Sequence, residues 1–258
     1  MWGETVIHRV WEDFAGRERG IIFTVWDITR TSYLTLPDIM LGPQAEAYDF
    51  IKQRHFFKLW GYFPVDALGP GGSIQPFLQA SYRGYDRRLF YTRWACDVAQ
   101  QSLGTRDDWI PHGLNLNTWQ PCDKAQARAT LPGAAKDDFI VGCVGTNQPR
   151  KDWGLTFATF RSLMDTLKGE AHLWAHVDML IRYWNIVSLI EDFGLTKHVT
   201  VTTSLSPPAL ARHYAACDVT IANGLGEGFG YPIVESLACG TPVVHGNYAG
   251  GAELIPRG

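Results

Sequence analysis

The stretch NGLGEGFGYPIVESLACGTPVV, Asn223–Val244, places a glycine-rich loop between segments that are typical of regular structure. Before it, DVTIA (Asp218–Ala222) predicts a strand. Within it, Pro232–Cys239 predicts a helix ended by Gly240, and TPVVH (Thr241–His245) predicts the next strand. A strand, a crossover helix and a second strand form a right-handed unit with parallel strands. In such sheets ligands bind beyond the carboxyl ends of the strands, which is where this loop lies.

The chain before this stretch repeats the same alternation of strands and helices. Such an alternation indicates the α/β fold class, in which helices pack against a parallel sheet. The predicted strands are Asp138–Gly145, Ala171–His176 and His198–Ser204, and the predicted helices are Trp153–Leu167 before Gly169, Ile186–Phe193 before Gly194, and Pro207–Ala216 with Ser206 as its N-cap.

The first half of the chain shows fewer strand and helix units. Strand-like cores lie in four segments, which are Gly20–Asp27, Phe57–Asp66, Arg87–Trp94 and the shorter Trp109–Asn115. Prolines and polar residues concentrate between positions 120 and 137, which indicates a domain boundary. We therefore predict a partial Rossmann-like N-terminal domain over residues 1–120 and a Rossmann-like C-terminal domain over residues 121–258.

Composition narrows the class of protein. The formal net charge of −3 provides no global field that would favour nucleic acid or an anionic membrane. The five cysteines are scattered without a C-x-x-C pair, which favours a reducing compartment over disulfides or a zinc knuckle. No apolar run has the length of a signal peptide core or of a membrane span. We expect a cytoplasmic protein with no nucleic-acid partner and no transmembrane segment, for which peripheral membrane contact remains open.

Two glutamates in the opening stretch indicate the ligand. Glu227 lies in the glycine-rich loop, and Glu235 lies about one turn inside the following helix. The glycines allow backbone N–H groups to approach a ligand, and the start of a helix favours phosphate. Carboxylates only accept hydrogen bonds, so the pair suits a ligand with diols at both ends of a diphosphate. A nucleotide sugar has that shape.

These motifs carry a family resemblance. EGFGYPIVE, LACGTPVV and GGAELIP closely resemble family 4 of the retaining glycosyltransferases, which have the GT-B fold. The resemblance extends back through HYAACDVTIANG, VGCVGTNQPRKDWG and WIPHGLNLNTWQP. It implies two Rossmann-type domains with parallel sheets and an active site between them. Against that pattern the N-terminal domain looks incomplete and the C-terminal domain looks truncated.

The resemblance also implies roles for the loop and helix residues. Glu227 would contact hydroxyls of the transferred hexose, and Glu235 would hold the ribose diol. The donor would also contact Gly228, Phe229, Gly230 and Tyr231, together with Gly145 and Asn147 after an earlier strand. The donor is a UDP- or GDP-linked sugar, no further cofactor is implied, and the acceptor, a glycan, lipid or small molecule, stays open.

Cations in NQPRKD would replace a metal in this family pattern. Arg150 and Lys151 would neutralise the diphosphate, and the leaving phosphate would take the proton of the acceptor hydroxyl. Relatives often have an arginine five residues before the lysine, where this chain has Thr146. Lys151 is therefore the stronger of the two assignments.

Acceptor-side residues and competing functions are less defined. His112 in IPHG and Asp27 in FTVWDITR are candidates for contact with the acceptor or for the cleft, and the loop Asp66–Ser73 either faces the acceptor or is structural.

His172 and His176 have metal-ligand spacing but fall on a predicted strand, which disfavours a metal site. A dinucleotide fingerprint fails because Phe229 replaces its third glycine. The alternatives to a transferase are a non-catalytic or partner-completed nucleotide-sugar-binding module and a GT-B epimerase or phosphorylase.

Overall fold

The structure is a computed structural model that describes residues 3–16, 18–135 and 137–255, and the backbone alone at Pro70. The chain divides into two compact units. The first contains residues 1–112 together with Glu227–Phe229, and the second contains residues 113–226 and 230–258. No helix among the described residues is long and apolar enough to cross a membrane.

The first unit contains a four-stranded parallel sheet in the order β1-β2-β3-β4. Its core lies under β2 and β3, where fully buried Leu59, Phe63 and Phe90 pack with Leu34 and Ile51 from the helical segments. The elements are α1 Ile7–Ala15, β1 Gly20–Val25, α2 Ile28–Thr31, α3 Pro37–Met40, α4 Tyr48–Lys52, β2 Phe57–Phe63, α5 Pro76–Arg83, β3 Arg87–Phe90, α6 Arg93–Leu103 and β4 Asp108–Trp109, with 3₁₀ turns at Ser32–Leu34, Arg54–Phe56 and Pro70–Gly72.

The second unit contains a five-stranded parallel sheet in the order β7-β6-β5-β8-β9. The strands β5 to β7 are added in one direction and β8 and β9 in the other, so the order reverses at the β5–β8 pair. The elements are α7 Lys124–Arg128, β5 Phe139–Val144, α8 Trp153–Thr166, β6 Ala171–His176, α9 Ile186–Asp192, β7 Val199–Thr202, α10 Pro207–Ala216, β8 Val219–Ala222, α11 Tyr231–Ala238 and β9 Val243–His245, with 3₁₀ turns at Pro149–Lys151 and Gly250–Leu254.

Helices cover both faces of this second sheet. On β6, Leu173 belongs to the core beneath α8 and α9, whereas its neighbour Trp174 belongs to the core with Tyr214 of α10. Successive residues of a strand point to opposite faces, so two apolar cores give the near-continuous hydrophobic strands that the sequence shows. The arrangement is doubly wound.

Some details expected from the sequence differ from the structure. The first unit ends at His112 apart from Glu227–Phe229, and Trp119 packs its ring against Tyr214 in the second core. The predicted strand at Trp109–Asn115 reduces to Asp108–Trp109. Ser206 occupies the N-cap position of α10, but its side chain makes no capping hydrogen bond.

Candidate donor site at the strand reversal

Two loops meet where the strand order of the second sheet reverses. One follows β5 and contains the turn Pro149–Lys151, and the other follows β8 and begins at Asn223. The Leu225 N–H donates to the Arg150 carbonyl oxygen over 2.6 Å. Ligands of open α/β sheets bind at such a reversal, beyond the carboxyl ends of the strands. The loops that the sequence singled out therefore form one edge of the second unit.

Arg150 holds the second of these loops. Its guanidinium Nη1 donates to the Gly226 carbonyl oxygen over 2.9 Å, in addition to the bond that its own carbonyl accepts from Leu225. Arg150 thus anchors this loop, and its predicted role in neutralising a diphosphate stays a prediction. Glu227 follows Gly226 directly in the chain, so this hydrogen bond also restrains the backbone at Glu227.

Lys151 is held differently from Arg150. A Cβ placed on Gly145 would lie 3.4 Å from Lys151 Cδ, so the aliphatic stem of the lysine packs over this glycine. Lys151 is half-buried and ends the 3₁₀ turn after β5. The next residue, Asp152, caps α8 by accepting the Leu155 N–H over 3.0 Å. The start of α8 is therefore capped by the Asp152 carboxylate. Lys151 belongs to the turn that precedes this helix.

Helix α11 begins without a side-chain cap. Its N-cap is Gly230, with φ of 101° and no side chain that could cap the helix, and the Ile233 N–H donates to the Gly230 carbonyl oxygen over 2.9 Å. By contrast, Asp152 caps α8 and Asn185 caps α9 with side-chain oxygens. The helix starts at Tyr231, one residue earlier than predicted, with Pro232 in its first turn. The partial positive charge of a helix start favours an anion at this position.

Glu235 is positioned by a residue that the sequence did not reveal. Fully buried Tyr214 of α10 donates its hydroxyl to Glu235 Oε2 over 3.1 Å. Burial raises the pKa of the Glu235 carboxyl, and the Tyr214 hydrogen bond partly offsets that rise. Tyr231 lies close enough for the Glu235 charge to raise the pKa of its phenol, after the larger effect of burial. Glu235 and the start of α11 thus belong to one site.

Glu227, Gly228 and Phe229 pack with the first unit. Glu227 is only 8% exposed, an unusual burial for a loop carboxylate. A Cβ on Gly228 would lie 2.4 Å from Pro64 Cβ and 2.5 Å from Asp66 Oδ1, so only glycine fits there. The Phe229 ring packs edge-on against His112 at 5.0 Å between centroids.

His112 lies among aromatic residues of the first unit. The Tyr62 hydroxyl lies 3.2 Å from His112 Nδ1, and the Tyr91 ring lies 4.1 Å from the imidazole centroid. Burial lowers the pKa of His112, so the ring is neutral near physiological pH. Asp27, the other acceptor-side candidate, directly precedes α2 without capping it and lines a separate cavity of the same unit.

Asn147, predicted to contact the donor, makes three side-chain hydrogen bonds within the protein. It is fully buried, and its Nδ2 donates to the carbonyl oxygens of Met179 and Trp184 over 2.7 and 2.8 Å. Its Oδ1 accepts the Trp184 N–H over 3.0 Å. These bonds use both amide protons and one carbonyl lone pair, so the side chain fastens the β6–α9 loop.

The strand histidines pair with threonines of the adjacent strand. His172 Nε2 lies 2.8 Å from Thr200 Oγ1, and His176 Nδ1 lies 2.9 Å from Thr202 Oγ1. Over residues 3–16, 18–135 and 137–255, no group of three or more His, Cys, Asp or Glu side chains has the arrangement of a metal site.

Further polar residues of the loop edge were missed by sequence reasoning. Tyr248 donates its hydroxyl to the Gly224 carbonyl oxygen over 2.6 Å, and Thr156 donates to Asn223 Oδ1 over 3.0 Å. These partners are 24 and 67 residues apart in the chain, and no local pattern links them. The one available signal was that Asn223 directly follows the predicted strand.

Solved structures share the fold of this chain. Sucrose-phosphate synthase from Thermosynechococcus elongatus superposes with a TM-score of 0.70 at 18% identity, over 94% of this chain and 59% of that chain. HepE of Anabaena, solved in complex with UDP and glucose, gives a TM-score of 0.68 at 19% identity, over 91% of this chain and 62% of that chain. The chain has the α/β GT-B fold with parallel sheets, which confirms the predicted fold class.

Sequence comparisons agree with the fold. Residues 132–258 match the family model described as Glycosyl transferases group 1. A D-inositol 3-phosphate glycosyltransferase of Segniliparus rotundus is 32% identical over 145 residues, which cover 55% of this chain and 32% of that relative. The enzyme of the same name from Nocardia farcinica is 31% identical over 158 residues, which cover 59% and 35%. The chain thus spans about a third of the length of these relatives.

Proposed function

We propose that this protein is a retaining glycosyltransferase that moves a hexose from a nucleotide-diphosphate sugar to an acceptor. The observation that carries the proposal is the uncapped start of α11 at the strand reversal, with Glu235 held by Tyr214 inside the same helix. A helix start of this kind favours phosphate, and a carboxylate nearby accepts hydrogen bonds from hydroxyls. In this proposal the helix start binds the diphosphate, and Glu235 binds the ribose of the nucleotide.

Charge at the leaving group comes from the chain itself. In this proposal Lys151 contacts the diphosphate, which lies at the positive end of the α11 dipole. The helix start contributes roughly half an elementary charge, and the lysine contributes a full one. Together they stabilise the negative charge that develops on the leaving phosphate, so the transfer needs no metal or further cofactor. Arg150 supports the reaction by holding the loop.

The two glutamates bind hydroxyl groups at opposite ends of the donor. Glu235 accepts hydrogen bonds from the ribose diol, which requires its ionised form. Glu227 accepts hydrogen bonds from hydroxyls of the transferred sugar.

The reaction exchanges one bond at the anomeric carbon. The bond to the β-phosphate oxygen breaks, and a bond to the acceptor hydroxyl oxygen forms on the same face of the sugar. The hydroxyl proton passes to the departing phosphate, which yields a nucleoside diphosphate and a glycoside. No side chain acts as nucleophile or base.

Donor identity is suggested by the neighbours. HepE is described with UDP-glucose bound, which supports a UDP-linked donor here, with GDP as the alternative. The relatives named D-inositol 3-phosphate glycosyltransferase support a small hydroxyl-bearing acceptor.

Donor turnover tests the proposal. The purified chain is incubated with UDP-, GDP- and ADP-hexoses and polyol acceptors, and the released nucleotide and the product's anomeric configuration are measured. We expect one donor to be consumed and its configuration to be kept. Glu227→Gln should lower turnover at least about tenfold, as expected for a group that acts in the transition state. Glu191→Gln, an exposed change on α9, is the matched control. No release from any donor would contradict the proposal, and binding without release would favour the non-catalytic module.

A further inference from the structure

Strand β1 lies at the edge of the first sheet. It pairs with β2 in parallel, from Gly20 beside Phe57 to Val25 beside Tyr62, and no other strand among the described residues pairs with it. The backbone N–H and C=O groups on its outer side are therefore open to another strand. Proteins commonly protect such an edge with lysine, proline or a bulge, and the sequence GIIFTV contains neither of these residues.

One face of β1 is both apolar and exposed. Ile21, Phe23 and Val25 are each 49% exposed, and alternate residues of a strand point to the same face. The intervening Ile22 and Thr24 are half-buried, and Ile22 packs against the core of the first unit. Parallel sheets normally have both faces covered, so an exposed apolar face at the edge of one is unusual.

Helix α1 extends this apolar surface. Its inner face holds Trp11, which packs against Phe57 with 5.6 Å between the ring centroids. Its outer face presents Val6, Val10 and Phe14, which are 43%, 59% and 88% exposed and follow each other at a spacing of four residues. These three residues and β1 line one groove of about 480 Å³. The helix and the strand thus form one continuous apolar surface.

The size of this surface is close to that of a protein–protein interface. We call it the β1 surface, and its exposed fractions correspond to roughly 600 Å² of apolar area. The largest apolar patch of a typical monomer covers about 300–600 Å². A stable interface buries about 800 Å² on each partner, so the β1 surface could form the apolar centre of one. The β1 surface consists of Val6, Val10, Phe14, Ile21, Phe23 and Val25.

The charges of α1 do not favour a membrane as the partner. Helices that bind anionic membranes carry an excess of lysine and arginine on their polar face. Helix α1 has one arginine, Arg9, against Glu12 and Asp13, and Arg9 is paired with Glu46 over 2.6 Å. The β1 surface itself is uncharged, so it offers no complement to a strongly charged partner. A second copy of the chain presents an equally uncharged surface, and two-fold symmetry brings the same patch to both sides.

We propose that two copies of this chain associate through the β1 surface, with their β1 strands paired antiparallel about a two-fold axis at Phe23. In this register Phe23 lies opposite Phe23 of the second copy, Ile21 opposite Val25, and Ile22 opposite Thr24. Directly opposite residues of an antiparallel pair share a face, so the exposed apolar residues meet one another. Pairing also removes both open edges. The association involves the first unit alone and does not depend on the donor site of the second.

Sedimentation of the full chain over a series of concentrations tests the association. We expect the mass to rise to that of two chains. Phe23→Glu should weaken the dimer at least about tenfold, because two like charges would meet at the axis. Ile39→Glu is the matched control, since Ile39 is 69% exposed on α3 and lies outside the groove. Circular dichroism and thermal unfolding check that both variants fold.

Cross-linking tests the register. In a Cys122→Ser background, which removes an exposed thiol, Phe23→Cys should give a covalent dimer on mild oxidation, and Ile39→Cys should not. Directly opposite Cβ atoms lie about 4.5–5.5 Å apart, which is close enough for such a link. A chain that stays monomeric at every concentration, a dimer unaffected by Phe23→Glu, or no cross-link at Phe23→Cys would overturn the inference. So would a monomer that sediments with phosphatidylglycerol vesicles, which would assign the β1 surface to a membrane.

Discussion

The guanidinium of Arg150 donates to the carbonyl oxygen of Gly226 across 2.9 Å, and the two residues are 76 positions apart in the chain. The bond joins the loop after β5 to the loop after β8, at the point where the strand order of the second sheet reverses. Since Glu227 follows Gly226, the arginine acts on the donor site through the backbone of the glycine-rich loop.

Arg150→Ala should therefore weaken donor binding and lower stability. Loss of a charge-assisted hydrogen bond costs about 1–2 kcal/mol in the free energy of unfolding. We expect the KM for donor to rise about tenfold, with partial rescue by Arg150→Lys, which keeps one donor group. If Arg150 acts through the Gly226 bond, the ionic-strength dependence of donor affinity should not change, because the acceptor of that bond is an uncharged carbonyl. A clearly shallower salt dependence would show direct contact with phosphate instead.

Tyr214→Phe should change the pH dependence of donor affinity. The folded-state pKa of Glu235 is raised by burial and held down in part by the Tyr214 hydroxyl. Donor affinity should fall as the pH drops through that pKa, because the protonated carboxyl loses acceptor capacity. Removing the hydroxyl raises the pKa further, so the acidic loss should move to higher pH. Affinity titrations across mildly acidic pH check this, and superimposable profiles for the two proteins would refute it.

Gly228→Ala should disturb the loop more than any ordinary glycine replacement. The new methyl group would lie 2.4 Å from Pro64 Cβ and 2.5 Å from Asp66 Oδ1. We expect a loss of about 1–3 kcal/mol in stability, as for other overpacked sites, and more than tenfold slower transfer. Gly42→Ala is the control, since nothing lies within 4 Å of its Cβ position. Urea unfolding and donor turnover measure both effects, and wild-type values for Gly228→Ala would contradict the close packing.

Asp218→Asn should remove stability that depends on pH. Burial alone would raise the pKa of Asp218, but Lys124, the Ile140 N–H and Arg128 together lower it below the ordinary value. A lowered folded-state pKa contributes stability above the unfolded-state value, near pH 4, that is lost as the pH falls further. The variant should be about 2 kcal/mol less stable near neutral pH. The difference in the free energy of unfolding between the wild type and the variant should become smaller in acid. A difference that does not depend on pH would be evidence against the ion-pair explanation.

Much of the second unit could be predicted from the sequence. Ala171–His176 and Pro207–Ala216 were predicted to the residue, because doubly buried strands and Pro-initiated helices have strong local patterns. The elements of the first unit were harder to predict from the sequence. Its short α2, α3 and α4 have four or five residues each and give little periodicity.

Side-chain roles at the site were predicted less completely than its position. The motif singled out Glu227, Glu235 and Lys151, whose assignment to a donor site stays a prediction. It did not show that Asn147 is consumed by the β6–α9 loop or that Tyr214 supports Glu235, because those partners come from other elements. Hydrogen bonds between distant segments follow from packing, which one sequence does not display.

Calorimetric titration of the wild-type chain and of Lys151→Met with UDP, GDP and ADP, each beside its parent nucleoside, tests the central claim most directly. We expect one nucleoside diphosphate to bind the wild type at least about tenfold more tightly than its nucleoside, a difference of about 1.4 kcal/mol or more. Lys151→Met should lose most of that preference, while Glu191→Gln should keep it. Equal affinity for nucleoside and diphosphate, or an unchanged preference in Lys151→Met, would contradict a diphosphate site at the start of α11.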